Sequence, residues 1–120
     1  MGKPGFIDGR HYSDYVEKVK SLKRAGLLKE AEELLLKLVE ATEAEAKATG
    51  GGVAPWYYEQ LAIIYRKRKD YSAEVSILKR YMRQPHAPGA GPQQLSARLK
   101  KAQHLLQACS SNEVKPKKNG

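Results

Sequence analysis

Apolar residues recur at helical spacing along most of the chain. Tyr12, Tyr15, Val16, Val19 and Leu22 stand at i, i+3, i+4, i+7 and i+10, with Glu17, Lys18, Lys20 and Lys23 beside them, which predicts a helix from about Tyr12 to Ala25. Gly26 ends it, just past a last turn carrying Lys23 and Arg24, because glycine tolerates the left-handed conformation and cations meet the negative helix end. A second helix, about Leu28 to Ala48, follows with an unbroken apolar face of Ala31, Leu34, Leu35, Leu38, Val39 and Thr42. Glu30, Glu32, Glu33, Glu40, Glu43 and Glu45 take much of the remainder, and Gly50 to Gly52 stop the helix and read as a flexible connection. Pro55 fits the first position of a third helix, where its missing N–H is not needed. Tyr58, Leu61, Ala62 and Tyr65 share one face of it, widened by Tyr57 and Ile64. Asp70 then has the chemistry of an N-cap, and Tyr71, Val75, Leu78 and Met82 give a fourth helix that ends before Pro85. After the Pro- and Gly-rich loop QPHAPGAGP, a fifth helix starts at Pro92 and runs to about Cys109 with Leu95, Leu99, Ala102, Leu105 and Leu106 as its buried stripe.

The pattern predicts an all-α fold: an array of about five helices in antiparallel pairs, spanning 12–109 between an N-terminal extension (1–11) and a disordered basic tail (110–120). Its first unit covers 12–49, its second 54–84, and the capping helix 92–109. Two of its turns match. Superposing Gly26 in LKRAGLLKEAEELL on Lys69 in YRKRKDYSAEVSIL lays Leu22 on Tyr65, Leu28 on Tyr71, Leu35 on Leu78 and Tyr15 on Tyr58. Tyr15, Leu22, Gly26, Leu28, Ala31 and Leu35 in one unit, with Tyr58, Leu61, Ala62, Tyr65, Asp70, Tyr71 and Leu78 in the other, resemble the tetratricopeptide repeat. The units are offset by 43 residues, longer than that family's repeat of roughly 34. Glu74 also occupies the place of a small alanine, and His86 stands near the expected proline. The stretch from His11 to Tyr71 also resembles a helical region found at the C-terminal end of longer bacterial proteins, some bearing an N-terminal HIRAN domain associated with DNA ends. That likeness implies an excised domain whose MGKPGF opening is a linker end.

Composition adds direction. The chain has a formal net charge of +9, but residues 1–60 hold nine Lys/Arg against ten Asp/Glu while residues 61–120 hold thirteen against three. No apolar run nears the roughly 18 residues of a membrane span, and a lone Cys109 has no disulfide or CxxC partner, so a cytoplasmic protein without membrane contact is expected. Catalysis has little support. Asp8, His11, Asp14 and Glu17 drift around a helix rather than form a metal cluster, and neither His86 nor His104 pairs with Cys109 as base and nucleophile. The glycines at 50–52 lack a phosphate-loop ending. No cofactor is called for, and the expectation is a non-enzyme.

The repeat resemblance implies a concave groove lined by the first helix of each pair. Its positions are Ser13, Val16, Lys20, Lys23 and Arg24 in unit one and Trp56, Glu59, Ile63, Arg66 and Lys67 in unit two. Such a basic groove with one aromatic suits an acidic or C-terminal carboxylate peptide. The asparagines of the family's carboxylate-clamp members are absent, Lys20 and Ile63 standing in their places. Plainer readings compete: Arg66 to Lys69 meet the dipole of their own helix end, and Trp56 packs on the fifth helix. A rival partner is nucleic acid, on a patch of Arg66, Lys67, Arg68, Lys79, Arg80, Arg83, Arg98, Lys100 and Lys101. A homodimer is a third, with the acidic second helix of one copy on the basic third and fourth helices of another.

Overall fold

The computed structural model describes the backbone of residues 3–119 and the side chains of 3–109. The fold is all-α. Among the described residues five helices follow one short hairpin: β1 (Phe6–Ile7), β2 (Arg10–His11), α1 (Val16–Arg24), α2 (Leu28–Thr49), α3 (Pro55–Lys67), α4 (Tyr71–Met82) and α5 (Gly91–Asn119). None of the described helices is long and apolar enough to cross a membrane. Each helix packs on the next, and α3 also touches α5. The disordered tail expected at 110–120 concerns residues whose side chains lie outside those described, although α5 is continuous to Asn119.

Both short turns between paired helices have one construction. In the first, Gly26 has φ +77°, its N–H donates to Lys23 O, and Leu27 N donates back to Leu22 O at 2.9 Å. In the second, Lys69 has φ +60°, its N–H donates to Arg66 O, and Asp70 N donates to Tyr65 O at 2.8 Å. These are paired Schellman closures, which satisfy carbonyls a helix end leaves open. The superposition of Gly26 on Lys69 is therefore a superposition of two left-handed residues. Asp70 caps α4 by accepting from Ala73 N at 3.1 Å.

The core runs along the array. Leu35 and Leu38 of α2, Tyr58, Leu61, Ala62 and Ile64 of α3, Leu78 of α4 and Ala102 of α5 are all fully enclosed. The α3 face predicted for the interior is there, and Tyr71, which begins α4, is half-buried. Tyrosine hydroxyls need partners when enclosed, and glutamates of α2 supply them. Tyr58 donates to Glu43 Oε2 at 2.8 Å, Tyr65 to Glu32 Oε2 at 2.9 Å and Tyr12 to Glu45 Oε1 at 3.0 Å. Two of these carboxylates also take a cation: Arg80 binds Glu43 bidentately, both contacts 2.8 Å, and Arg68 meets Glu32 at 2.6 Å. The hydrogen bonds with Glu43 hold the Arg80 guanidinium above its usual pKa. Burial alone would raise the Glu32 carboxyl, but the Arg68 and Tyr65 hydrogen bonds outweigh it and hold the group below its ordinary value.

Two segments depart from the pattern. Residues 6–11, within the expected extension, form an antiparallel hairpin with Phe6 opposite His11, turned by Asp8 (φ +51°) and Gly9 (φ +81°). This is the two-residue turn that Asp-Gly favours. The hairpin is fastened to the helices: Tyr15 OH donates to Ile7 O at 2.7 Å, and His11 Nε2 lies 2.7 Å from Glu45. Tyr12 to Tyr15 form a 3-10 turn rather than the first turn of α1, with His11 Nδ1 accepting from Ser13 N as its cap. The second departure is the glycine triplet, which is a specified joint, not a flexible connection. Gly50 closes α2 in the left-handed region, and Val53 N donates to Pro85 O at 3.0 Å, fixing the α2–α3 loop on the α4–α5 loop. A side chain at Gly52 would stand 2.2 Å from Ala87 N.

Gly52→Ala is therefore expected to lower unfolding free energy by about 2 kcal/mol, whereas Gly51→Ala, with only an ordinary contact to Thr49, should stay within about 0.5 kcal/mol. Urea denaturation of the two variants checks this. The tyrosines give a pH prediction. Burial pushes Tyr57 up to about 12, and burial followed by the adjacent Glu43 and Glu32 carboxylates pushes Tyr58 and Tyr65 up as well. A raised folded-state value means the folded state holds its phenol proton longer. The resulting stability is complete below the ordinary value of 10.0 and is lost as pH rises beyond it. An alkaline titration should show part of the tyrosinate absorbance appearing only together with loss of helical circular dichroism.

Candidate functional site

The basic end of α3 is built around a carboxylate. Glu74 lies beside Val75 and one turn before Leu78, so helical geometry turns it inward, and it has no exposed surface. The Schellman turn folds α4 back along α3 and brings Arg66 opposite. Arg66 Nε donates to Glu74 Oε1 at 3.1 Å and Arg66 Nη2 lies 2.7 Å from Oε2. From α5, Arg98 Nη1 reaches Oε2 at 3.3 Å, and Arg66 Nη2 also donates to Arg98 O at 3.4 Å. Three helices thus meet at one anion. Enclosing a carboxylate is costly unless charged hydrogen bonds surround it, and here two guanidinium groups do so.

Above this cluster is a cleft of about 220 Å³ lined by Ile63, Arg66, Lys67 and Arg98. Lys23 of α1 lies on the same face: its ammonium donates to Gln60 Oε1. Burial, and then the charge of Lys67, hold the Lys23 ammonium below its usual pKa, against an opposing pull from Glu59. The structure therefore gathers Lys23, Glu59, Ile63, Arg66 and Lys67, five of the positions expected from the sequence, along α1 and α3. The others lie differently. Val16 and Trp56 are half-buried against the core, with Trp56 edge-on to Tyr57 at 5.1 Å. Lys20 is 3.7 Å from Glu17 on open surface, while Arg24 and Ser13 are exposed, the latter bonded to His11.

Glu74 was outside both expected sites, and Arg98 was expected only in the rival nucleic-acid patch, where it stood with Arg66 and Lys67. Glu74 had a signal, an acid on the enclosed face of α4 where Ala31 stands in the matching unit; both positions are fully buried. The pairing of Arg98 with Glu74 had none, since sequence does not tell which neighbour α5 meets.

Of the nine cations considered for nucleic acid, Arg66, Arg68, Arg80 and Arg98 are ion-paired within the chain. The acidic α2 likewise meets the basic helices of its own chain through Glu32–Arg68 and Glu43–Arg80. No group of three or more His, Cys, Asp or Glu side chains among the described residues is placed to hold a metal ion. No protein-family model, curated protein or solved structure matches the chain.

The cluster sets a stability expectation. Arg66→Ala leaves Glu74 enclosed with only the longer Arg98 contact and should cost about 3 kcal/mol. Lys67→Ala, a solvent-exposed neighbour, should change stability by no more than about 0.5 kcal/mol. Equal, small effects in urea denaturation would show that Arg66 is merely a solvated helix-end cation.

Proposed function

We propose that the chain is a non-catalytic, tetratricopeptide-like interaction module that holds an acidic peptide, or an acidic segment of a partner protein, against the basic face of α1, α3 and α5. The observation that carries this reading is the convergence of Arg66, Lys67 and Arg98 on one cleft with Ile63 as its apolar wall, with Lys23 close enough to feel the charge of Lys67. Lys67 has no carboxylate within ion-pair distance among the described residues, and its charge, after burial, helps hold the Lys23 ammonium below its usual pKa against the pull of Glu59. The repeat resemblance is supported by the identical bonding of the two turns and by matched enclosed pairs: Leu35 with Leu78, Ala31 with Glu74. In such a module the first helices of the pairs, α1 and α3, line the binding face, and α5 covers the end of the second pair.

Nucleic acid is the less supported partner, because two arginines of its patch that lie outside the cleft, Arg68 and Arg80, are each already paired with a glutamate of the chain. The dimer reading loses its charge basis for the same reason, as the α2 glutamates meet cations of their own chain.

The test is fluorescence anisotropy with a labelled glutamate-rich peptide and a labelled oligonucleotide, each at low and high salt. Saturable peptide binding is expected, weakened about tenfold by Lys67→Glu through like-charge repulsion. Tight oligonucleotide binding with a steep salt dependence and no peptide binding would replace this reading with the nucleic-acid one.

A further inference from the structure

We propose that the cleft between α3 and α5 is a phosphate-ester subsite, in which Arg66, Lys67 and Arg98 receive the dianionic phosphate of a phosphorylated side chain on the bound peptide. The proposal rests on the reading of this face as a peptide groove and names what one part of it recognises.

Charge is the first argument. Three cations line or floor the cleft, and Glu74 beneath it supplies one negative charge, so two positive charges are left uncompensated by the side chains that meet there. A carboxylate brings one charge and two oxygens, whereas a phosphate monoester brings about −1.5 to −2 and three strong acceptor oxygens. A phosphodiester of a nucleic-acid backbone carries a single charge and is the poorer match.

Geometry is the second. Glu74 engages Nε and Nη2 of Arg66 and Nη1 of Arg98. Arg66 Nη1 and Arg98 Nη2 have no acceptor among the described residues, and Lys67 Nζ has none either. Glu74 is fully enclosed while the Arg66 and Arg98 side chains keep 31% and 24% of their surface exposed. The carboxylate thus acts as a positioning residue: it holds Nε and Nη2 of Arg66 and Nη1 of Arg98 and leaves their remaining donors for an incoming phosphate. Preorganised donors bind at less entropic cost than free arginine side chains. Ile63 supplies an apolar wall for the carbon chain that carries the phosphate.

The experiment uses the full chain and two labelled acidic peptides, identical except that one has a central phosphoserine and the other serine. The phosphopeptide is expected to bind about tenfold more tightly. The readout is the ratio of the two affinities, which Arg98→Lys, lacking the planar fork, and Lys67→Gln should each reduce to within about threefold. Because Lys67 is exposed and bonds to none of the folded elements described, its variant tests the site even if Arg98→Lys loosens α5. Equal affinities for the two peptides would overturn the phosphate subsite and leave the groove standing. Binding of neither would overturn both. A preference that neither variant alters would place the phosphate elsewhere and refute the site. An oligonucleotide that displaces the phosphopeptide at matched phosphate concentration would make the occupant a nucleic-acid backbone and refute it too.

Discussion

A carboxylate without exposed surface constrains everything around it, and Glu74 is the only charged side chain in that condition among the described residues. Its oxygens require donors from more than one direction, and α4 has none to give it. Arg66 must come from α3 and Arg98 from α5, which fixes how those helices sit against α4. An apolar residue of similar volume would often serve stability equally well. What the ion cluster contributes is position: leucines tolerate a sliding neighbour helix, whereas a bidentate arginine on a buried carboxylate does not. In the first unit the matching position is Ala31, and there the two helices are closed by packing alone. Both units receive a further helix, α3 on α2 and α5 on α4, and of these two matched positions only Glu74 engages the incoming helix through an ion pair.

The same logic accounts for the uneven charge along the chain. The acidic first half and basic second half read as surfaces awaiting partners, yet Glu32 and Glu43 hold Arg68 and Arg80 across the α2–α3 and α2–α4 approaches. Each glutamate also receives a tyrosine hydroxyl from α3. A tyrosine alone would need water at that depth, and an arginine alone would lose side-chain entropy for little attraction at a part-exposed site. Sharing one carboxylate satisfies the phenol and orients the cation. Part of the net positive charge is therefore internal complementarity between segments distant in sequence.

The middle helices were legible because period, caps and breakers agreed: Pro55 and Tyr71 begin α3 and α4 as the pattern predicts, and Asp70 caps, whereas α1 begins at Val16 rather than Tyr12 and α5 runs past Cys109 to Asn119. The matched turns were legible through Gly26 and, less obviously, Lys69, whose left-handed backbone no composition rule marks. The hairpin went unread although Asp8-Gly9 is its usual signal, since two-residue strands have too few positions to show alternation. Gly52 was read as slack because close approach of another loop is a tertiary fact. For the site, Lys23, Glu59, Ile63, Arg66 and Lys67 could be placed on one face from helix alignment. Their counter-ion could not, because Glu74 and Arg98 meet only once three helices have packed.

The stretch from Pro55 to Tyr71 shows how the two roles of charge separate. Tyr58 and Tyr65 turn inward to glutamates, Arg66 and Arg68 turn to carboxylates on opposite flanks, and Lys67 between them meets none among the described residues. Successive side chains on a helix lie about 100° apart, so cations one or two positions apart point in different directions and each needs its own acid. The chain supplies one for Arg66 and one for Arg68. Pairing therefore ties Arg66 and Arg68 to the fold, yet Arg66 keeps 31% of its side-chain surface exposed on the cleft it lines with Lys67 and Arg98. A cation can thus hold two helices together and still present charge at the surface, whereas Lys67 does only the second.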